Sequence, residues 1–366
     1  MQNKKKNYLA SRKIQFSEAI NEALYQSMKK DRRVIIMGLG VDDPKRIFGT
    51  TEKLKEVFGS KRVFDMPTSE NAMTGIALGA SLSNFKPVLC HQRVEFALLS
   101  IDQIINQAAK WFYMNAGQMS APIVIRLIVG RGWGQGPQHS QSLESLFANI
   151  PGLKVITPST AYDAKGLLNS SIFDKNPVIF FEHRWLHSTY GKVPKKYYKI
   201  PIGKSKILKK GNDITIVSNS YMIIECLKAQ KILNYYGVKA ELIDLRSLRP
   251  LDTKPIINSV KKTKKLIVVD NGWMNFGISS EILSVVSETI GNKFIVKTKR
   301  LGLLETPIPS TRKLAELCYP HCIDISLAAG KLLNRNFIDI KKKYNKWLPT
   351  DVPNSEFRGP DRKSVV

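Results

Sequence analysis

Three side chains fall where a parallel sheet could bring them to one place: the carboxylate Glu70, the aromatic Phe96 and the imidazole His139. Glu70 ends the run Val63-Phe64-Asp65-Met66-Pro67-Thr68-Ser69-Glu70. There a short apolar strand gives way to a small-residue helix, Ala72 to Ala80, with Ser69 as the expected N-cap. By position alone such a Glu compensates the helix dipole, an effect under about 1 kcal/mol. His139 closes the loop Gly130-Arg131-Gly132-Trp133-Gly134-Gln135-Gly136-Pro137-Gln138-His139, whose alternating glycines follow a buried strand and let backbone approach a ligand closely. The loop is not a Walker motif, since no Gly-Lys-Ser/Thr follows. Its glycine spacing and Pro137 also argue against a dinucleotide fingerprint. Phe96 lies in a third strand-to-helix corner, Cys90-His91-Gln92-Arg93-Val94-Glu95-Phe96-Ala97, as a core residue or as a platform for a flat ligand. Open α/β sheets bind ligands at the carboxyl ends of their strands. A carboxylate, an aromatic face and an imidazole gathered there suit a nitrogenous heteroaromatic molecule. They do not suit a Ser-His-Asp hydrolase, because no Gly-x-Ser-x-Gly elbow is present.

The elements that must hold these residues read as α/β. Val34-Ile35-Ile36-Met37, Pro87-Val88-Leu89-Cys90, Pro122 to Ile128, Leu153-Lys154-Val155-Ile156 and Val178-Ile179-Phe180-Phe181 are continuous apolar strands. Amphipathic helices alternate with them: one after Ser17 as N-cap, one ending at Phe58 with Gly59 past its end, a long one from Phe96 to Met114, and one over Ala164 to Ile172. Continuous apolar strands joined by helices imply a parallel sheet covered on both faces. A polar, Lys-rich stretch over 188–212 reads as a linker. A second, smaller alternation follows, with strands at Ile214 to Val217, Ala240 to Ile243 and Leu266 to Val269 and helices near 220–235, 277–290 and 322–333. Two parallel-sheet domains are therefore expected, over 14–190 and 200–333, with a basic, Pro-containing tail over 334–366.

The 366 residues carry a net charge of +27. The lysines are scattered in pairs and triplets without interleaved aromatics, which points to a solvated basic surface rather than to nucleic-acid binding. No apolar run approaches the roughly 18 residues of a membrane span. The basic start, Met1 to Lys6, is not followed by the apolar stretch of a secretory leader. The four cysteines are few and dispersed, as in a reduced, cytoplasmic protein. Cys318-Tyr319-Pro320-His321-Cys322 lacks the second ligand pair that a zinc site would show.

Taken together, these segments resemble the beta subunit of the thiamine-diphosphate-dependent 2-oxo acid dehydrogenase decarboxylating component, of the pyruvate or branched-chain type. The resemblance is carried by Asp65 to Glu70, Ile101 to Lys110, Gln138-His139-Ser140-Gln141-Ser142, Pro151 to Val155, Asp163 to Leu167 and Leu245 to Asp252, in family order. It implies a transketolase-type pyrimidine-binding domain followed by a transketolase C-terminal-like domain. It also implies an α2β2 heterotetramer in which the alpha subunit holds the diphosphate and Mg²⁺ through a Gly-Asp-Gly…Asn-Asn motif that this chain lacks, and a lipoyl acyltransferase that receives the acyl group. By position, Glu70 would hydrogen-bond the aminopyrimidine nitrogen of thiamine, Phe96 would pack on that ring, and His139 would stand near the thiazolium. Ile123, Ser171, Asp174 and Asn176 match positions that bind a structural K⁺ ion in some members.

Departures from the family pattern lie on the expected substrate side. Gly38-Leu39-Gly40-Val41 has Leu39 where many members have a carboxylate. The unusual corners around His91-Gln92-Arg93 and Arg131 point to a polar or anionic 2-oxo acid gripped by Arg93 or Arg131, or else to two arginines in structural ion pairs. Half of a split transketolase-like or acetoin-type enzyme, and a non-catalytic basic interaction subunit, are the alternative functions.

Overall fold

The computed structural model describes residues 11–132, 134–293 and 295–348. Trp133 of the glycine loop and the part of the expected tail from 349 onward lie outside the described residues. In the first half the strands are β1 (Ser11–Gln15), β2 (Val34–Gly38), β3 (Val63–Asp65), β4 (Lys86–His91), β5 (Val124–Val129), β6 (Lys154–Ile156), β7 (Val178–His183) and β8 (Tyr190–Pro194). The helices between them are α1 (Phe16–Lys30), α2 (Leu54–Phe58), α3 (Glu70–Leu82), α4 (Ala109–Met114), α5 (Glu144–Ala148) and α6 (Ala161–Ile172). Strands β6, β7, β5, β4, β2 and β3 form one parallel sheet in that spatial order. Every residue of β2, β5 and β7 is buried, as expected of a sheet covered on both faces. All carboxyl ends therefore lie along one edge, with the ends of β5, β4, β2 and β3 side by side.

The second half adds β9 (Lys206–Lys209), β10 (Ile214–Ser218), β11 (Ala240–Asp244), β12 (Ser247–Arg249), β13 (Lys265–Trp273) and β14 (Lys297–Leu303). Its helices are α7 (Met222–Tyr235), α8 (Thr253–Thr263), α9 (Ile278–Ile290), α10 (Arg312–Cys318), α11 (Cys322–Leu333) and α12 (Ile340–Tyr344). Strands β14, β13, β10 and β11 run parallel, and β9 closes that sheet antiparallel.

Several sequence expectations need correction. Helix α1 begins at Phe16 rather than after Ser17; the Gln15 backbone N–H donates to Glu18 Oε2 at 2.7 Å. The stretch 188–212 is not a bare linker: β8 pairs antiparallel with β1, and β9 joins the second sheet. The expected long helix over 96–114 is a 3₁₀ segment, Val94–Ser100, then a π segment, Asp102–Ala108, then α4. Such a wide turn is a frequent mark of functional sites. The two sheets are strapped together by the Leu245-Arg246-Ser247-Leu248-Arg249 run. β12 crosses over to pair with β6, and Arg246 donates to Asp163 Oδ1 of α6 at 3.0 Å. Past residue 334 the chain is packed as far as it is described: Phe337, Ile340 and Tyr344 are buried.

Candidate functional site

The site grows from the four adjacent strand ends. After β2, Gly38 (φ 141°) and Gly40 (φ 73°) are required by close approach, because a Cβ would stand 2.2 Å from Cys90 O at the first and 2.0 Å from Gln92 Nε2 at the second. Leu39, between them, is partly buried against the apolar core, and its N–H donates to Cys90 O. After β3 the chain turns through Ser69 into α3. Ser69 takes the expected N-cap position, its carbonyl accepting from the Met73 N–H at 2.9 Å, but its hydroxyl makes no cap hydrogen bond. Glu70 is the first helical residue, at 7% exposure. Its carboxylate has no hydrogen bond or ion pair among the described residues, and its backbone carbonyl accepts from Ser100 Oγ at 2.6 Å. Ser100 in turn accepts from Thr74 Oγ1 at 2.9 Å. This pair of bonds fastens the start of α3 to the 3₁₀ segment that carries Phe96.

Phe96 and His139 meet edge-on, with ring centroids 5.5 Å apart and an interplanar angle of 62°. Gly130 makes the return of that loop possible, since a Cβ there would lie 2.0 Å from His139 O. A residue not foreseen from the sequence, Glu95, ties the same pieces together: its Oε1 accepts from the Gln141 backbone N–H at 2.7 Å. Burial pushes the Glu95 carboxyl up from the usual range, against the lowering pull of that hydrogen bond. Its signal in the sequence was only its place next to Phe96.

Unspent polar atoms line this edge. Glu95 Oε2, His139 Nδ1 and both ring nitrogens of His91 are buried and have no partner among the described residues. Burial lowers the His91 pKa to about 3, so the ring is neutral at pH 7. Buried polar atoms are nearly always paired in finished structures. A row of them beside an aromatic ring therefore fits a ligand that brings nitrogen donors and acceptors on a flat ring.

The two candidate substrate arginines part company. Arg131 is 1% exposed and sits in an aromatic cage, with its guanidinium 3.7 Å from the Tyr319 ring centroid, 4.3 Å from Trp185 and 5.0 Å from Tyr221. Trp185 Nε1 donates to the Arg131 carbonyl at 2.7 Å. That arrangement pins the glycine loop through cation–π contacts rather than through the expected ion pair, and Arg131 Nε and Nη1 are buried without a hydrogen-bond partner among the described residues. Arg93 stays at the crevice, its Nε 3.2 Å from where a Gly130 Cβ would be.

The residues matched to a K⁺ site do come together. Asp174 N–H donates to Ser171 O at 3.1 Å, Asn176 N–H to Asp174 Oδ1 at 2.9 Å, and Val178 N–H to Ile123 O at 2.9 Å. Lys154 already supplies a positive charge to Asp174 Oδ2 at 2.6 Å, which leaves mainly backbone carbonyls for an ion. Around Cys318, the His321 backbone N–H is bonded to Asp324 and the Cys322 N–H to Glu225, so these groups serve to start α11. Among the described residues no three His, Cys, Asp or Glu side chains form a metal-ligating group, and no helix is long and apolar enough to cross a membrane.

Comparison with known proteins agrees with this fold. Residues 12–188 match the transketolase pyrimidine-binding domain and residues 203–325 the transketolase C-terminal domain. The chain is 38% identical over 333 residues to the mitochondrial pyruvate dehydrogenase E1 component subunit beta of Pisum sativum, covering 90% of this chain and 93% of that one. It is also 38% identical to the acetoin:2,6-dichlorophenolindophenol oxidoreductase subunit beta of Cupriavidus necator, over 88% of this chain and 98% of that one. A solved split gene transketolase, an inactive β4 tetramer, superposes with a TM-score of 0.71 at 21% identity over 88% of this chain and 98% of that chain, a likeness of fold.

Proposed function

The chain belongs to the beta subunits of the thiamine-diphosphate-dependent 2-oxo acid dehydrogenases, oxidoreductases acting on 2-oxo acids, and from that membership we propose that it builds the pyrimidine end of the cofactor site. The reading rests on one observation: Glu70, its carboxylate unpartnered among the described residues, is fastened through its backbone carbonyl to the segment of Phe96, whose ring meets His139. Bound thiamine diphosphate supplies the carbon nucleophile that lets a 2-oxo acid lose carbon dioxide. Glu70 holds a proton against the pyrimidine ring nitrogen, and Phe96 fixes the plane of that ring and excludes water. His139 presents an imidazole on the substrate side, where it can hold or release a proton, and Glu95 fixes the loop behind it. The diphosphate and Mg²⁺ fall to an alpha subunit in an α2β2 assembly, through the Gly-Asp-Gly…Asn-Asn motif that the resemblance assigns to that subunit and that is not found in this sequence. A K⁺ ion would take backbone carbonyls of Ile123, Ser171 and Asn176 beside Asp174. A lipoyl acyltransferase takes the acyl group, and the assembly works in the cytoplasm.

The test is co-purification with the alpha chain and an assay with thiamine diphosphate and Mg²⁺. Decarboxylation of a 2-oxo acid coupled to acylation of lipoamide is expected. Transfer to an aldehyde instead would select the transketolase-like or acetoin-type alternative. No cofactor binding beside the alpha chain would select the non-catalytic subunit.

Gly130→Ala gives a sharper check on the loop. Its new methyl must displace the His139 carbonyl, 2.0 Å away, so kcat falls about 100-fold, as expected for an ångström-scale misplacement of a reacting group. Thiamine diphosphate affinity, measured by tryptophan quenching, should change far less, because Glu70 and Phe96 are not moved.

A further inference from the structure

Past α11 the chain builds a surface that the chemistry just described does not use. Residues 331–348 carry six cationic side chains and one acidic one. The run Ile340-Lys341-Lys342-Lys343-Tyr344 forms α12. Ile340 and Tyr344, four residues apart, are turned into the core, and the three lysines between them are exposed. Lys346 and Arg335 are exposed as well. None of these five cations is in an ion pair among the described residues.

In the sequence these lysines lack interleaved aromatics, but the fold supplies them from the end of α7. Lys343 Nζ stands 3.4 Å from the ring centroid of Tyr235. Tyr236 stacks on Phe337 with centroids 4.6 Å apart, and Tyr344 meets Trp347 at 5.0 Å. Tyr236 Oη donates to Ile338 O at 2.9 Å, and Arg335 Nη1 donates to Tyr236 O at 3.3 Å. These contacts hold the segment against α7, so its charges are presented on a fixed frame. Two large apolar side chains stay out in solvent on that frame, Tyr235 at 64% exposure and Ile338 at 72%. An apolar centre with a charged rim is the anatomy of a protein interface.

We propose that Tyr235 and Ile338, flanked by Arg335, Lys341, Lys342, Lys343 and Lys346, form a docking surface for an acidic protein segment that carries an apolar side chain. The occupant follows from charge complementarity. Lysine ammoniums on flexible stems meet carboxylates at many spacings, and the exposed apolar pair takes the side chain set between them. A single-stranded nucleic acid fits less well, because it stacks successive bases on successive open rings. Here Tyr235 is largely exposed, whereas Phe337 and Tyr344 are buried and Tyr236 and Trp347 are partly covered. None of these residues belongs to the strand ends that gather Glu70, Phe96 and His139.

The experiment follows fluorescence anisotropy of three labelled probes on the full chain assembled with its alpha subunit. The probes are the peptide Glu-Glu-Glu-Phe-Glu-Glu-Glu, the same peptide with Ser in place of Phe, and an oligothymidylate of equal length. The Phe peptide should bind about tenfold more tightly than the other two, the increment of one well-placed apolar contact. Its affinity should fall by about tenfold or more between about 0.05 and 0.3 M salt. Joint reversal of Lys341→Glu, Lys342→Glu and Lys343→Glu should weaken it by roughly 30-fold or more, and Tyr235→Ala should bring it to the level of the Ser peptide. The same reversal at the exposed Lys192, Lys195 and Lys196 should weaken it by less than about threefold. Thermal melts identify any variant that does not fold, and the ranking of probes on the wild type needs no variant. The proposal is overturned if the Phe peptide does not bind at low salt, if the Phe and Ser peptides bind alike, or if the control reversal weakens binding as much. It is also overturned if the oligonucleotide binds as tightly as the Phe peptide, which would make this a nucleic-acid surface.

Discussion

Glu70→Gln should lower kcat of the assembled enzyme by roughly two to four orders of magnitude, the range expected when a positioned acid–base group is lost. The substitution keeps the side chain's shape and its place at the start of α3. The bonds that set that place, Ser100 Oγ to the Glu70 carbonyl and Thr74 Oγ1 to Ser100, do not involve the carboxylate. A mere helix-end charge would behave differently: its loss would cost under about 1 kcal/mol of stability and leave turnover alone. The decisive measurement is single-turnover decarboxylation at saturating cofactor, with thermal melting alongside. Wild-type turnover in a folded Glu70→Gln enzyme would remove Glu70 from the chemistry. A large fall in rate with an unchanged melt separates the acid from the dipole.

The largest expected effect on stability lies behind the site, in a fully buried ionic cluster. Arg126 of β5 donates from Nε to Glu182 Oε1 at 2.5 Å and from Nη2 to Glu182 Oε2 at 2.9 Å. Nη2 also reaches Thr50 Oγ1 at 2.9 Å. His187, with its proton on Nε2, donates to Glu182 Oε2 at 3.2 Å. Burial by itself would raise the Glu182 carboxyl. The charge of Arg126 and the hydrogen bonds of His187 and Arg126 overcome it and hold the pKa at about 2. Glu182→Gln leaves the guanidinium buried without its counter-charge and should cost about 3 kcal/mol at pH 7. The folded pKa is depressed below the ordinary value of 4.5, so this stabilisation is complete above that pH and is lost as pH falls toward about 2. The gap between wild type and variant in urea midpoint should therefore be wide at pH 7 and close between pH 4 and pH 2. A gap that does not depend on pH would mean that packing, not the charge on Glu182, stabilises the cluster.

How much of this was legible beforehand varies by element. Runs such as Ile214-Thr215-Ile216-Val217 and Val178-Ile179-Phe180-Phe181 announced buried parallel strands, because only a sheet covered on both faces tolerates that many consecutive apolar residues. The corner positions of Glu70, Phe96 and His139 were legible for the same reason: once the strands are known, their carboxyl ends are known. The pairing of β8 with β1 was hidden, because Lys192 faces Lys13 on the exposed side and each strand brings only one buried apolar residue, Val193 and Ile14, to the core. β12 was hidden because its partner, β6, lies about ninety residues earlier in the chain.

The two arginines illustrate the division most plainly. From the sequence Arg93 and Arg131 were equivalent, each a cation in a corner after a strand. In the folded chain Arg131 is enclosed by Trp185, Tyr221 and Tyr319, contributed by three separate segments, whereas Arg93 shares Phe48 with Arg184, ninety-one residues away. The sequence by itself determined the α/β character, the order of the corners and the types of group that meet at the sheet edge, since these follow from local periodicity and strand direction. Only the tertiary structure decided which cation is caged, which faces the crevice, and that Glu95 ties the loop of His139. Burial and charge at each of these positions are set by neighbours that no local pattern connects.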